Sequence, residues 1–309
     1  MMESGSPLRI GVVGVGAMGR NHARILASLP GAELAGVYDA RPEVAEELAG
    51  AHGTRAFARL EELAGEADAA VVAAPTVAHA GIGCELLGRG LHVLVEKPVA
   101  STLEEAGRLV AAAAGRVLAV GHVEFFNPAV QALLGVGVPP RFVEVQRLGV
   151  FSPRSLDVDV VLDLMIHDLQ ILHALDPSPV AEVRATGIAV LSDRVDIANA
   201  RVELASGCVA NLTASRVSGE RVRKLRAFLP SRYYSLDYHA QEIRGYRLET
   251  ADGGRRILPD DLPVEKAEPL RRELEAFVAA CRGEEAPLVE GAAGRKALET
   301  ALAVVEAIG

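Results

Sequence analysis

Three residues carry reactive groups in spacings that chemistry would use. Lys97 follows the apolar run Leu91-His92-Val93-Leu94-Val95 and Glu96 and precedes Pro98, which puts an amine at the end of a buried strand. Ligands of open α/β sheets sit at such strand ends. The chain has 4 Lys against 28 Arg, and of the two only lysine can give up its proton there. Asp163 and His167 are four residues apart, so on a helix they share one face. The carboxylate orients the imidazole, and a histidine with an ordinary pKa of about 6.5 then accepts a proton near neutral pH. Taken singly, each feature has a plainer reading: a solvated strand end, or an Asp-His pair at a helix surface. Taken together they weaken the plainer readings and point to a proton-transferring group.

Upstream, Gly14-Val15-Gly16-Ala17-Met18-Gly19 matches G-x-G-x-x-G between a strand and a helix. The pattern predicts a tight turn at Gly14, close approach of backbone to a pyrophosphate at Gly16, with Ala17 and Met18 offering N-H groups, and close helix packing at Gly19. Asp39, at the end of the next strand, is placed to accept the adenosine ribose hydroxyls and to repel a 2′-phosphate, which favours NAD. Arg41, two residues on, could fold over a phosphate and leaves NADP open.

The elements that must position these residues alternate strand and helix from Leu8 to Gly121, predicting a doubly wound parallel sheet. Strands are expected at Leu8 to Val13, Glu33 to Tyr38, Ala69 to Ala73, the run ending at Glu96, and Arg116 to Val120. Helices are expected at Ala17 to Ser28, Pro42 to Gly50, Val77 to Gly88 and after the capping-box residues Ser101-Thr102-Leu103-Glu104-Glu105. Beyond Gly121, strands expected at Phe142 to Val150, Val180 to Leu191, Ile197 to Leu204, Cys208 to Ser215, Lys224 to Leu229 and Glu242 to Glu249, with neighbours separated by short turns such as Ala205-Ser206-Gly207, predict a mainly antiparallel open sheet. One helix at about Val158 to Leu175 interrupts it, and two more, near Pro269 to Cys281 and Gly291 to Ile308, close the chain. The expected organisation is α/β in two domains, 1–121 and 122–309.

Composition narrows the function classes. A formal charge of -9 argues against a nucleic-acid surface. Cys84, Cys208 and Cys281 are isolated, which fits a reducing, cytoplasmic setting and excludes a zinc motif; no metal site is expected. The amino terminus shows no signal peptide and no apolar run approaches spanning length, so no membrane partner is expected.

The ordered set of the Gly14 loop, Asp39, Pro75 with His79, Glu96-Lys97-Pro98, and Asp163 with His167 resembles the glucose-fructose oxidoreductase, inositol dehydrogenase and MocA family of nicotinamide-dependent dehydrogenases. The resemblance covers essentially the whole chain. It implies an amino-terminal Rossmann domain and a carboxyl-terminal α/β domain whose open sheet often mediates oligomerisation, here a homodimer or homotetramer. It implies Lys97, Asp163 and His167 as the catalytic group, Pro75, His79 and Glu96 beside the cofactor, and a cis peptide before Pro98. The chain departs from the family in having Ala74-Pro75 where Thr-Pro is common, and Gln170 where an Asp often stands three residues after the histidine.

For the substrate, Arg216, Arg221, Arg223, Lys224 and Arg226 place five cations within eleven residues. They form either a solvated strand face or an anion site for a nucleotide diphosphate, with Arg216 and Lys224 as contacts. Ser152 to Asp159, with Arg154, and Tyr233 to Tyr238 offer hydroxyls and aromatics suited to a sugar, although polar loops look the same. Asn127, before Pro128, is a further candidate contact. His22 either approaches the pyrophosphate or packs. These stretches resemble the branch of the family that oxidises the 3-hydroxyl of UDP-N-acetylglucosamine, whose keto product passes to an aminotransferase in lipid A biosynthesis. Two alternatives stay open: a dehydrogenase of a free polyol or aldose, and a non-catalytic NAD-binding sensor.

Overall fold

The computed structural model describes residues 6–151, 158–251 and 254–309. The chain divides into two compact units, Met1–His122 with Leu270–Arg295, and Val123–Pro269 with Lys296–Gly309. The Leu270–Arg295 segment, which the sequence reading put with the carboxyl-terminal domain, lies in the first unit.

In the first unit β1 (Leu8–Val13), β2 (Ala32–Tyr38), β3 (Ala69–Val72), β4 (His92–Glu96) and β5 (Leu118–Gly121) form a parallel sheet in the order β2-β1-β3-β4-β5. The strand order reverses between β1 and β3, which opens a ligand crevice at their carboxyl ends. β3 is buried throughout, as a strand covered by helices on both faces must be. The helices are α1 (Ala17–Leu26), α2 (Pro42–His52), α3 (Leu60–Glu66), α4 (Thr76–Gly88) and α5 (Leu103–Ala112). α5 begins as its sequence predicts: the Thr102 hydroxyl accepts the Glu105 N-H at 3.2 Å, and the Glu105 carboxylate accepts the Ser101 N-H at 3.1 Å. α8 (Pro269–Cys281) buries Leu274 and Phe277 completely, and the Val120 N-H donates to Val289 O at 2.8 Å beside β5.

The second unit is built on an eight-stranded sheet, β13-β12-β11-β10-β6-β9-β8-β7. Its strands are β6 (Phe142–Leu148), β7 (Val180–Ile188), β8 (Ile197–Leu204), β9 (Val209–Ser215), β10 (Val222–Leu229), β11 (Arg232–Asp237), β12 (Glu242–Ala251) and β13 (Gly254–Pro259). All pairs are antiparallel except β6 with β9, which run parallel because α7 (Ile166–Leu175) lies in the connection between them. One sheet face buries Val143, Val145, Leu225, Ala227, Tyr234 and Leu236 in a core shared with α6 (Pro128–Leu134), α7 and residues from Ala297 onward of α9 (Gly291–Ile308). The other face is open and carries Glu144, Lys224, Arg226 and Phe228. β11 and β13 escaped the sequence reading. β11 takes in Tyr233 and Tyr234, and its alternation puts Tyr234 in the core with its hydroxyl donating to Asp260.

Two buried histidines set an acid limit on stability. Burial, then the Lys97 charge, pushes His122 down to about 3, and burial, then Lys296, pushes His173 down to about 4. The unfolded chain, with histidines near 6.5, takes up protons that the folded chain refuses, so this stability is complete above that value and declines as pH falls. Urea midpoints are predicted to drop on acidification below about pH 6.5, and His173→Gln, measured at the same pH values, is predicted to flatten that slope.

Candidate active site

The first unit assembles a dinucleotide cradle. Gly14 has φ +85°, and a Cβ there would lie 2.5 Å from Ala74 N, so only glycine lets the loop after β1 rest against the end of β3. A Cβ on Gly19 would stand 1.9 Å from Gly14 O, which fixes the third glycine by helix packing. A Cβ on Gly16 would meet nothing within 4 Å, and α1 starts at Gly16 without a side-chain cap. Open space in front of an uncapped helix start fits a pyrophosphate.

Asp39 braces this loop. One carboxylate oxygen accepts the Val15 N-H at 2.8 Å; the other accepts Arg41 N-H at 3.0 Å and the Arg41 guanidinium at 3.3 Å. Burial works against its charge, but the Val15 and Arg41 N-H groups and the guanidinium outweigh it and hold its pKa below the ordinary value. Arg41 is thus turned to Asp39, and the carboxylate stands where the ribose is expected.

Lys97 is partly buried after β4, and the Lys97-Pro98 peptide is cis, as the resemblance implies. His79, 1% exposed, places Nδ1 2.9 Å from Pro98 O and Nε2 2.8 Å from Ala74 O. Burial lowers its pKa, partly countered by those two carbonyls. A neutral ring carries one N-H and donates to one of the two carbonyls at a time, so His79 packs between the end of β3 and the turn after Lys97 with both nitrogens turned to backbone rather than to open space. Glu96 likewise turns into the protein: its Oε1 lies 2.7 Å from His22 Nε2, and His22 is fully buried, packing rather than reaching a pyrophosphate.

In the second unit Asp163 lies in a π-helical turn, Val161–Met165, that runs into α7, where the sequence suggested one continuous α-helix. Such turns concentrate at functional sites. The Asp159 carboxylate caps it, accepting the Val161 and Leu162 N-H groups at 2.9 Å each. His167 stands in the first turn of α7 beside Asp168. Asp168 is held by Arg147, itself 2% exposed, through two bonds of 2.8 and 2.7 Å. The third arm of Arg147 reaches Glu124 at 2.7 Å, Arg223 joins Glu124 at 3.0 Å, and the Tyr238 hydroxyl donates to Asp168 at 3.3 Å. Burial opposes the charge on Arg147, but Asp168 and Glu124 overcome it and raise its pKa well above the ordinary value. Two cations face two carboxylates, so the network is neutral. Sequence reasoning missed Arg147 and Asp168; a charged residue at an inward position of an alternating strand was the available signal.

The expected substrate contacts fare differently. Asn127 is 2% exposed and caps α6, accepting the Ala129 N-H at 3.1 Å and donating to Tyr238 O at 2.9 Å, so its amide serves the fold. Arg216 is 6% exposed and donates to Val158 O at 2.6 Å, an anchor for the start of the π-helical turn rather than a displayed anion contact. Lys224 is on the open sheet face, while Arg223, one residue earlier, points to the covered face. Period-two alternation thus divides the cationic run between the two sheet faces. Arg154 lies outside the described residues.

A strand-loop-helix cradle with an acidic residue after the second strand defines a dinucleotide-binding protein. Residues 8–122 match the oxidoreductase family with an NAD-binding Rossmann fold that takes its name from glucose-fructose oxidoreductase, inositol dehydrogenase and MocA. The chain is 39% identical over 306 residues to UDP-N-acetylglucosamine 3-dehydrogenase of Acidithiobacillus ferrooxidans, covering 97% of each chain. A solved structure of that dehydrogenase, GnnA, superposes with a TM-score of 0.90 at 38% identity over 98% of each chain. Inositol 2-dehydrogenase 2 of Paenarthrobacter aurescens is 28% identical over 93% of this chain and 91% of its own. The chain belongs to the glucose-fructose oxidoreductase, inositol dehydrogenase and MocA family, and is an NAD-dependent oxidoreductase acting on CH-OH groups.

Two substitutions test this geometry. Asp39→Ala removes the Val15 brace and the expected ribose contact, and is predicted to weaken NAD binding by about tenfold or more while raising relative acceptance of NADP, read by titration calorimetry. Arg147→Met leaves the buried Asp168 carboxylate without its charged partner and is predicted to cost about 3–5 kcal/mol in denaturant unfolding.

Proposed function

We propose that the protein oxidises a nucleotide sugar, UDP-N-acetylglucosamine, at its 3-hydroxyl. The observation that carries this reading is the end-to-end likeness to the Acidithiobacillus ferrooxidans enzyme, 39% identical across 97% of both chains. Bound NAD would supply a hydride acceptor, and the residues that would hold it are the Gly14 loop with the backbone of Gly16, Ala17 and Met18, Asp39, and Pro75 at the start of α4. His167 takes the proton of the substrate hydroxyl. Asp163 orients the imidazole, and the Arg147-Asp168 pair fixes the first turn of α7 beneath it. Lys97 donates to the alkoxide as it forms, and His79 keeps its turn in place. For the diphosphate the candidates are Arg154 and Arg223.

A 3-keto sugar is a ready acceptor for an amine, so the reaction that consumes it in this reading is an aminotransferase step leading to the diamino sugar of lipid A. The same reading takes the enzyme as cytoplasmic, in keeping with free thiols at Cys84, Cys208 and Cys281, and as a homodimer or homotetramer. Self-association is assigned to the open sheet face, where Phe228, Tyr246, Leu248 and Ile257 are exposed. No helix among the described residues is long and apolar enough to cross a membrane.

A free polyol substrate is the second reading, favoured by the full-length likeness to inositol 2-dehydrogenase at 28% identity. NADH formation with UDP-N-acetylglucosamine, and none with inositol or free sugars, is the expected outcome, with an aminotransferase coupled to draw off the ketone. Turnover of polyols alone would sink the nucleotide-sugar assignment. His167→Ala is predicted to lower kcat by about 10²–10⁴-fold with NAD affinity, measured by fluorescence titration, unchanged.

A further inference from the structure

Beneath the Lys97 turn three side chains from distant parts of the sequence close on one another: His22 on α1, Glu96 at the end of β4 and Glu273 on α8. Their ligating atoms all lie within 4.8 Å of one another, at exposures of 0%, 7% and 1%. Glu96 is doubly engaged: His22 Nε2 approaches Oε1 at 2.7 Å, and the Lys97 N-H donates to Oε2 at 3.3 Å. From β5 the backbone of Gly121 presses on the same carboxylate, since a Cβ there would stand 3.0 Å from it. Neither oxygen of Glu273 has a hydrogen-bond partner of the ordinary kind among the described residues.

An ionised carboxylate sealed from water with no donor, facing a second carboxylate, costs several kcal/mol. Two carboxyls in that position do not both ionise; they hold one proton between them. We propose that Glu273 and Glu96 share a single proton, the Glu273 O-H donating to Glu96, and that with His22 they form a closed support that makes Glu273 a positioning residue for Lys97. His22 fits this arrangement as a neutral ring: Nε2-H donates to Glu96, and Nδ1, which has no partner among the described residues, stays unprotonated. Burial, then the Glu96 charge, raises the Glu273 pKa well above the ordinary carboxylate range, in the same sense.

The other titratable groups around the pair are His79 on α4, which feels the Glu96 charge, Lys97 itself, and His122, which feels Lys97. With His22 and His122 neutral, the triad carries one negative charge opposite the Lys97 ammonium. The support therefore fixes both the place of the Lys97 backbone and the sign of the field beneath it. A divalent cation between the three groups would neutralise the same charges, and the test separates the two.

The catalytic half of this proposal rests on Lys97 acting at the alkoxide; the shared proton does not. The experiment is infrared spectroscopy of the full-length protein at a mildly alkaline pH, in H2O and D2O, with metal content measured on the same sample. A carbonyl band of a protonated carboxyl that shifts in D2O and is missing in Glu273→Gln is the expected result, with no stoichiometric metal. Absence of that band, or a bound metal that Glu273→Gln loses, would overturn the proposal. In turnover, Glu273→Gln, which keeps a donor to Glu96, is expected within about threefold of the parent kcat, whereas Glu273→Leu falls by about tenfold or more with KM for NAD unchanged. If Glu273→Leu turns over like the parent, the positioning role is wrong; if the band is present but Lys97→Ala is fully active, it is the reading of Lys97 that fails.

Discussion

His79 sets one buried ring between two backbone carbonyls, Ala74 O beyond β3 at 2.8 Å and Pro98 O beyond β4 at 2.9 Å, and its single N-H donates to one or the other. The two loops beside it carry, respectively, the peptide against which Gly14 packs and Lys97, the residue proposed to meet the alkoxide. A parallel sheet fixes its strands but not the loops that leave them, and loops are where such sheets bind and react. The imidazole supplies what the ladder does not. It sets the floor of the cofactor cradle and the turn after Lys97 from a single point, and the Glu96-His22 pair fixes the residue before that lysine from below.

The second unit solves the corresponding problem with charge. Arg147 fills an inward position of β6, where the alternation otherwise places Val143 and Val145. Its bidentate grip on Asp168 holds α7 at the residue after His167, and Glu124 with Arg223 balances the remaining charge. Buried ion pairs add little net stability, but they penalise any displacement that leaves a charge unpaired. That penalty resists movement of the first turn of α7, which a base needs if it is to meet a hydroxyl at hydrogen-bond distance.

What was legible in the sequence is what local constraint writes there. The glycines at 14, 16 and 19, Asp39 and the Asp163-His167 spacing are set by backbone geometry within one strand, turn or helix and could be read in place, whereas the cis peptide before Pro98 came from the family resemblance alone. The eight-stranded sheet was visible in outline because alternation and short turns are local as well; β11 was obscured by its tyrosines, which read as a sugar platform, and β13 by its arginines. Long-range pairings were not legible. Nothing near Glu273 announces Glu96, nothing near Arg147 announces Asp168, and the placement of α8 with the first unit follows from its buried Leu274 and Phe277 only once the fold exists. Asn127 was misread although its signal was present: an asparagine before Pro128 is a helix start, and its amide is used as one.

In the proposed reaction hydride leaves C3 of the sugar ring for the nicotinamide. The direct measurement uses UDP-N-acetylglucosamine carrying deuterium at C3, with the reduced cofactor recovered and its label located by mass spectrometry and NMR. Deuterium is expected at C4 of the nicotinamide, on one face of the ring, together with a ketone at C3 of the product. Reduced cofactor without the label, or label delivered only when deuterium is placed at another ring carbon, would contradict it.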